Sequence, residues 1–245
     1  MELNRIDINI DAYPEELHSF LEGAKIYNSS CSPEAVVLFI DKDYGYFLKS
    51  AKIGSLSHEA KMTQYFYKKN LSAQVLLYKS YEKDWLLTTK IDGEDCASPM
   101  YLNDPHRLCD TLSQALLMLH SIDFADCPIL DCNKLYLDRA EQELKGKGID
   151  CQFIQNHWHM LQRDTLIHGD YCLPNIILKD WHFSGFIDFD MGGVGDRHLD
   201  LFWGAWTLQY NLKTDKYRQR FFDGYGRDRI DDDTIRIVEM SSNYL

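Results

Sequence analysis

The sequence changes its pattern near residue 91, and this change constrains the fold more than any other feature. Before it come four short runs that are rich in Val, Tyr, Phe and Leu and are bounded by turn residues. These runs are residues 35–40, 44–49, 74–78 and 85–89. Such composition is typical of β-strands, and four closely spaced runs predict an antiparallel sheet. Apolar residues at helical spacing over residues 57–69 predict one helix set into this sheet, with Ser57 as its cap.

Beyond residue 91 the pattern is mainly helical. Asp104 and Pro105 are a typical cap and first residue of a helix, and leucines then recur on one stripe as far as His120. Further helices are predicted over residues 199–210, from a cap at Thr214 to residue 224 or 226, and after 232 or 233. One β-like patch interrupts them, at residues 175–178 and 185–187.

These patterns predict an α+β fold with two lobes. Residues 1–91 form a small β-rich lobe that contains one helix, and residues 92–245 form a larger, mainly helical lobe. A short hinge is expected over residues 89–93. A cleft between two lobes is the usual place for a ligand, so we expect the functional site there.

Composition excludes several classes of protein. The longest apolar run, residues 35–40, is far shorter than the roughly 20 residues that cross a bilayer. The first eleven residues lack the apolar block of a secretion signal, and seven cysteines without a CxxC pair indicate reduced thiols, so we expect a cytoplasmic protein. The formal net charge of −12 disfavours nucleic acid and membrane lipid as partners but tolerates a cationic substrate. We expect a monomer or a weak dimer.

The densest cluster of reactive side chains lies in residues 166–200. Asp170 stands five residues before Asn175, and Asp188 follows thirteen residues later, after a turn at residues 179–181. Two short strands joined by this turn return Asp188 to the end of the hairpin that carries Asn175. Oxygen ligands of this type suit Mg²⁺, which proteins hold with one or two side chains plus phosphate oxygens and water. Asp170 then remains to accept the proton of a substrate hydroxyl.

Phosphoryl transfer also needs a cation on the phosphates of the nucleotide. Lys49 ends the run YGYFLK, and Glu59 lies ten residues further on, in the predicted helix. An ion pair between them places the lysine against the α- and β-phosphates. The residues together supply the minimum apparatus for Mg²⁺-dependent phosphoryl transfer from a nucleotide.

Two segments carry a resemblance to a known family. HGDYCLPNIIL and GFIDFD resemble the catalytic and metal-binding segments of the aminoglycoside phosphotransferases, in particular the 3′-phosphotransferase (kanamycin kinase) branch, whose fold is that of the protein kinases. CSPEAVVLFI is similar to the nucleotide loop of that branch, HEAKM to its helix glutamate, DWLLTTKIDGED to its hinge, and GDRHLDL to the segment after its metal site. The resemblance covers about residues 22–240 and is interrupted near 140–165.

The resemblance implies a role for each matching residue. Asp170 is the implied catalytic base, and Asn175 and Asp188 are the implied Mg²⁺ ligands. His168 braces the catalytic loop. The implied nucleotide site consists of Lys49, held by Glu59, of Ser32 in the nucleotide loop, and of Thr89, Lys90 and Ile91, whose backbone bonds the base.

The acceptor half of the site departs from the branch. In that branch, three acidic elements meet the ammonium groups of the antibiotic, and all three are replaced here. The segment before HGD is short and not notably acidic. Gln209, Tyr210 and Asn211 stand in place of the acidic loop after the next helix, and Asn243 stands in place of the acidic pair near the C-terminus. Met191 stands where the branch has an arginine. Several lost charge-assisted hydrogen bonds, each about 1.5–3 kcal/mol, should weaken aminoglycoside binding. We assign Asp190, Gln209, Asn211 and Asn243 to the acceptor pocket.

The main prediction is therefore a Mg²⁺-dependent O-phosphotransferase that moves the γ-phosphate of ATP or GTP to a small polyhydroxylated molecule, most similar to the aminoglycoside 3′-phosphotransferases of antibiotic resistance. Two alternatives are a kinase of another small metabolite and a nucleotide-binding protein without transfer activity. A third is a metal-dependent hydrolase in which two metals are held by His168, Asp170, Asp188, Asp190 and His198. Asp196 and Asp200 are interpreted as helix-start and capping residues, and residues 192–195 as a flexible turn.

Overall fold

The structure is a computed structural model, and it describes residues 4–242. The chain divides into two compact units, the first ending at Ile91 and the second beginning at Asp92. The first is built on an antiparallel sheet and the second is mainly helical, so the predicted α+β fold class is confirmed.

The first unit contains a six-stranded antiparallel sheet with the strand order β1-β2-β3-β4-β6-β5. The strands are β1 (Asn4–Ile6), β2 (Lys25–Asn28), β3 (Ala35–Asp41), β4 (Tyr46–Ala51), β5 (Val75–Ser80) and β6 (Asp84–Thr89). Two helices accompany them, α1 (Glu15–Leu21) and α2 (Ser57–Lys68). The predicted strands and α2 are present, and α1, β1 and β2 are additional to the prediction.

Each face of this sheet packs against one helix. Leu86 and Leu87 are neighbours in β6, so their side chains point to opposite faces. Leu87 is buried in a cluster with Leu17 and Leu21 of α1. Leu86 is buried in a second cluster with Ala60 of α2. Side chains on the α2 face of the sheet therefore point toward that helix.

The start of α2 is fixed by a residue that is distant in the sequence. Ser57 is the first residue of the helix and not its cap; Leu56 occupies the cap position, and no side chain there makes the capping bond. Instead the Leu56 N–H donates to Asp84 Oδ2 at 2.8 Å, and the Gly54 N–H donates to Asp84 Oδ1 at 2.9 Å. A fully buried carboxylate on β6 thus replaces the predicted local cap.

Replacing Asp84 with Asn is expected to lower the free energy of unfolding by about 2–3 kcal/mol, because an amide nitrogen then faces buried N–H donors. Burial raises the pKa of the Asp84 carboxyl, but hydrogen bonds from Ser80, Gly54, Leu56 and Tyr78 outweigh it, and the pKa lies below its ordinary value. Ionised Asp84 therefore contributes its full stabilisation of the fold above about pH 3.9, the ordinary pKa of an aspartate in the unfolded chain. This contribution is lost as the pH falls through the lower pKa of the folded state. Denaturant titration of Asp84→Asn, with the exposed substitution Asp43→Asn as the control, measures the loss in the free energy of unfolding. Equal stability of the two variants would contradict the role of Asp84 at the start of α2.

The second unit carries two small sheets, with the strand orders β10-β9-β7 and β11-β8. Its strands are β7 (Glu94–Asp95), β8 (Thr165–Ile167), β9 (Ile176–Lys179), β10 (His182–Phe186) and β11 (Gly193–Gly195). Its helices are α3 (Pro99–Leu102), α4 (Pro105–His120), α5 (Cys132–Gly146), α6 (Gln152–His157), α7 (Arg197–Leu212), α8 (Arg218–Tyr225) and α9 (Asp232–Ser242).

Helix α4 forms as predicted. Asp104 accepts a hydrogen bond from the Arg107 N–H at its start, and Pro105 is its first residue. Its leucine stripe is completely buried. The predicted cap of α8 is wrong: Thr214 accepts from the Lys216 N–H in the preceding turn, and α8 begins later, at Arg218.

The interpretation of residues 192–195 as a flexible turn is also wrong. Gly193–Gly195 is strand β11, which is buried and pairs with β8. A Cβ added to Gly193 would lie 2.5 Å from Cys132 Sγ, and one on Gly195 would lie 2.6 Å from Ile167 Cδ1. Close packing, and not flexibility, accounts for these glycines.

No helix within residues 4–242 has both the length and the apolar character needed to cross a bilayer.

Candidate active site

In the first unit, Lys49 and Glu59 form the predicted ion pair. Lys49 lies opposite Leu86 in the β4–β6 register, so it shares the face of the sheet that packs against α2. Its Nζ is 2.8 Å from Glu59 Oε2. The carboxylate is almost completely buried, and a buried charge is tolerated only when it is paired and hydrogen-bonded. The pair holds a lysine ammonium at a fixed place on the sheet.

The other predicted nucleotide residues of this unit lie at strand ends. Ser32 is exposed in the loop between β2 and β3. The Thr89 N–H donates to the Gln74 carbonyl and the Lys90 N–H donates to the Gly45 carbonyl, both at 3.0 Å. Because these N–H groups are engaged, a nucleotide base can use only the carbonyl groups of Thr89 and Lys90, or the backbone of Ile91.

In the second unit, the loop after β8 carries Asp170 and fixes its carboxylate. Asn175 Nδ2 donates to Asp170 Oδ2 at 2.7 Å and to the Asp170 carbonyl at 3.0 Å. The Asp170 N–H donates to His168 Nδ1 at 3.3 Å. The His168 ring is buried beside Phe189, with 4.8 Å between ring centroids. Since the Asn175 amide nitrogen faces Asp170, its oxygen points away and is the atom left for another ligand.

The same loop passes directly against the segment that follows β10. Gly169 has a φ of 87°, and a Cβ there would lie 2.1 Å from the Met191 carbonyl oxygen. No other residue fits this approach without moving the backbone. The loop and the Asp188–Met191 segment are thereby held together.

Asp200 anchors this loop, a role that sequence reasoning missed. It is completely buried, and its carboxylate accepts the His168 N–H at 2.7 Å and the Gly169 N–H at 2.8 Å. Asp200 does lie in the first turn of α7, as interpreted, but it does not cap the helix, whereas Asp196 does. Asp200 is the fourth residue of α7, too far into the helix to cap it, and its carboxylate faces the loop that follows β8. The GDRHLDL resemblance was the available signal.

His120 completes this anchor from α4. Its Nε2 is 3.1 Å from Asp200 Oδ2, and its Nδ1 is 2.8 Å from the Tyr225 hydroxyl. Burial lowers the pKa of His120 by more than Asp200 raises it, so the ring is neutral at neutral pH. A neutral ring then donates from Nε2 to Asp200 and accepts at Nδ1 from Tyr225.

The hairpin of β9 and β10 brings Asp188 back to Asn175 as predicted. Its turn residues, Asp180 and Trp181, have φ values of 51° and 67°, the left-handed conformation of a tight hairpin turn. The Ile187 N–H donates to the Asn175 carbonyl at 3.0 Å. Asp188 is the next residue, exposed and with a φ of 62°. An amide oxygen and a carboxylate thus meet at the end of one hairpin.

These two groups fit Mg²⁺. Among residues 4–242, no cluster of three or more His, Cys, Asp or Glu side chains is arranged around a cation site. Mg²⁺ does not need such a cluster, because it keeps several waters and takes phosphate oxygens beside one or two protein oxygens. Asn175 and Asp188 would supply those protein oxygens.

His198, one of the five metal ligands of the hydrolase alternative, is not available to a metal. Both ring nitrogens of His198 are engaged: Nδ1 lies 2.6 Å from Asp196 Oδ1, and Nε2 accepts the Asp231 N–H at 2.9 Å. This histidine therefore supports the start of α7 and of α9. It does not take part in the cluster that two metals would require.

A cavity of about 260 Å³ opens beside Asp170. It is lined by the residues Tyr136, Arg139, Glu143, Gly169, Asp170, Asp190, Met191 and Trp203. Three of these come from α5, which the sequence analysis did not predict. Of the three described residues that were assigned to the acceptor pocket, Asp190 lines this cavity and the other two do not. Gln209 is exposed near the end of α7, Asn211 donates to the Thr207 carbonyl at 2.8 Å, and Asn243 lies outside the described residues.

Comparison with known proteins identifies the relatives of the chain. The model of the phosphotransferase enzyme family matches residues 24–236. A probable aminoglycoside 3′-phosphotransferase of Lactococcus lactis is 51% identical in an alignment of 252 positions that covers 96% of this chain and 96% of its own. An aminoglycoside 3′-phosphotransferase of Niallia circulans is 25% identical over 62% of this chain and 64% of its own.

Solved structures show the same fold. A type VIII aminoglycoside-3′-phosphotransferase matches with a TM-score of 0.74 and 18% identity, over 96% of both chains. The aminoglycoside phosphotransferase APH(3″)-Id of Streptomyces rimosus, in complex with ADP and streptomycin, matches with a TM-score of 0.67 and 18% identity, over 85% of this chain and 90% of its own.

Proposed function

The chain belongs to the phosphotransferase enzyme family, and from this premise we propose that it transfers the γ-phosphate of ATP to a hydroxyl group of an aminoglycoside, an activity that confers resistance to the antibiotic. The observation that carries the proposal is the Asn175 amide, which holds the Asp170 carboxylate at 2.7 Å beside the hairpin end that bears Asp188. A protein that only bound a nucleotide would not need a carboxylate fixed in this way.

The proposed reaction assigns one task to each side chain. Asp170 accepts the proton of the acceptor hydroxyl. As it does so, the hydroxyl oxygen forms a bond to the γ-phosphorus, and the bond between the γ-phosphorus and the oxygen of the leaving ADP breaks. Asn175 and Asp188 would hold Mg²⁺, which when bound would neutralise charge on the phosphates. Lys49 contacts the nucleotide phosphates, and Glu59 keeps it in place.

ATP is proposed as the donor because structural relatives are described with this nucleotide or its product. One is a streptomycin–ATP ternary complex of APH(2″)-IIa, with a TM-score of 0.66 and 16% identity. The 51% identical relative bears the name of a probable aminoglycoside 3′-phosphotransferase, which supports the 3′-hydroxyl as the position modified. The carboxylates of Glu143 and Asp190 in the cavity suit an acceptor with ammonium groups.

A kinase of a neutral polyhydroxylated metabolite is the second candidate. Arg139 already pairs with Asp190, at 3.1 Å between NH1 and Oδ2, which reduces the negative charge that an ammonium group meets. This observation favours a less cationic acceptor.

The test is mass spectrometry of acceptors incubated with the purified chain, ATP and Mg²⁺. We expect kanamycin to gain one phosphoryl group and its 3′-deoxy analogue to remain unmodified. Phosphorylation of neutral polyols alone would support the second candidate. Thermal stabilisation by nucleotide without any phosphorylated product would contradict both kinase proposals.

Replacing Glu59 with Gln is expected to raise the KM for ATP about tenfold. The change removes one charge-assisted hydrogen bond to Lys49, worth about 1.5–3 kcal/mol, and leaves the lysine poorly positioned. Steady-state kinetics with a saturating acceptor measure the effect. Glu16→Gln is the matched control in the same unit, since Glu16 pairs with Lys79 at an exposed position. A KM in Glu59→Gln equal to that of the control would remove Lys49 from the nucleotide site.

A further inference from the structure

We propose that Arg139 sets the charge preference of the acceptor site, by occupying the carboxylate of Asp190 to which an acceptor ammonium group would otherwise bind. The inference rests on the proposed phosphotransferase function and names a residue that selects among its acceptors.

The geometry places this guanidinium in the cavity of Asp170. Arg139 lies on α5 and lines the cavity together with Asp170, Asp190 and Glu143. Its NH1 is 3.1 Å from Asp190 Oδ2, and its Nε is 3.8 Å from Glu143 Oε1, one helical turn further along α5. Both carboxylates that flank the arginine are therefore already in contact with a cation.

These groups remain accessible to a ligand. The side chains of Arg139 and Asp190 are 47% and 43% exposed, and that of Glu143 is 39% exposed. A pair this exposed is held weakly, because water screens the attraction and two long side chains lose freedom on pairing. A bound acceptor is therefore able to separate the pair.

The charges of the cavity make the effect depend on the acceptor. Its lining residues carry three carboxylates and one guanidinium. Each ammonium group of an acceptor is attracted by the carboxylates and repelled by Arg139, and it must displace the guanidinium to reach Asp190. A neutral hydroxyl group meets no such competition. Arg139 thus penalises an acceptor in proportion to the number of its ammonium groups near Asp190.

A second role for the same guanidinium makes the opposite kinetic prediction. Met191 lines this cavity at the position where the resembling branch has an arginine. If Arg139 replaced that arginine on the transferred phosphoryl group, its removal would lower kcat for every acceptor. Competition at Asp190 changes KM and leaves kcat nearly unaltered.

The experiment compares Arg139→Gln and Arg139→Lys with the wild type. The acceptors are one aminoglycoside and its N-acetylated derivatives, which keep the same rings but carry fewer ammonium groups. For the fully amino form we expect the KM of Arg139→Gln to be about three- to tenfold lower than that of the wild type, with kcat within twofold. The difference should shrink with each acetylated amine and with added salt.

Two further variants and one binding measurement complete the design. Arg139→Lys keeps the cation and should retain the wild-type preference. Arg220→Gln should behave as the wild type, because Arg220 pairs with Asp110 at similar exposure on α8, outside the cavity lining. Calorimetric titration of the same acceptors without nucleotide should show the same charge-dependent gain in affinity for Arg139→Gln.

The possible failures are distinguishable. Wild-type protein that neither binds nor phosphorylates any acceptor contradicts the proposed function. Wild-type turnover with an unchanged KM in Arg139→Gln, or a change that is equal for all acetylated forms, contradicts only the role of Arg139. A lower kcat for every acceptor also overturns that role.

Discussion

Asp170→Asn is expected to lower kcat for phosphoryl transfer by about two to four orders of magnitude, the usual contribution of a general base. Asparagine has nearly the same shape as aspartate, and its oxygen still accepts the bond from the Asn175 amide. The loop should therefore keep its structure, and the Kd for ATP should stay near the wild-type value. Rapid-quench measurement of phosphorylated acceptor, together with calorimetric titration of ATP, separates the two effects.

The control for this substitution is Asp180→Asn, in the turn of the neighbouring hairpin. Asp180 has a φ of 51°, which asparagine also adopts readily. Its kinetics should match those of the wild type. Wild-type transfer rates in Asp170→Asn would show that this carboxylate is not the base.

Asp200→Asn is expected to reduce both stability and activity. Removing the charge of this buried carboxylate, and turning an amide nitrogen toward N–H donors, should cost about 3 kcal/mol of the free energy of unfolding. The backbone N–H groups of His168 and Gly169 lose their acceptor, so the loop that carries Asp170 should open more often and kcat should fall. Hydrogen exchange measured by mass spectrometry reports on those N–H groups directly.

Asp84→Asn is the matched control for this effect, because Asp84 is also a buried carboxylate that accepts backbone N–H groups, but in the first unit. It should lower stability to a similar extent without faster exchange at residues 168 and 169. Equal protection of this loop in the wild type and in Asp200→Asn would refute the anchoring role.

The longest periodic patterns were predictable from the sequence. Helix α4 was predicted from its cap to its last residue, since its capping residue, its proline and its leucine stripe are all local signals. Helix α5 was missed although Asp131 caps it and three of its buried residues recur at intervals of four, namely Tyr136, Ala140 and Leu144. Many charged residues lie between them, and the family resemblance is interrupted over part of the helix.

The proximity of the proposed catalytic and Mg²⁺-binding residues was predictable for a related reason. Asp170 and Asn175 are joined by one loop, and Asp188 returns by one hairpin, so their proximity follows from the local chain. The other residues that line the cavity beside Asp170 depend instead on which helix, distant in the sequence, packs beside that loop. Arg139 precedes Asp170 by 31 residues in the sequence, and no spacing rule links a position on α5 to the cavity.

The anchors were missed because they act at long range. Asp84 holds the start of α2 across about 28 residues of sequence, and Asp200 binds a loop about 31 residues before it. In the sequence, a carboxylate of this kind cannot be distinguished from a helix cap, because both roles use an aspartate side chain that accepts backbone N–H groups. Only the packing of the helix against the sheet distinguishes the two roles.

A crystal structure of the chain with Mg²⁺ and a non-hydrolysable ATP analogue tests the assignment of the site most directly. We predict one Mg²⁺ bound by the Asn175 amide oxygen and the Asp188 carboxylate, at about 2.0–2.1 Å, with the Asp170 carboxylate free of the metal. A nucleotide-bound Mg²⁺ that contacts neither Asn175 nor Asp188, or one that is coordinated by Asp170 in their place, would contradict it.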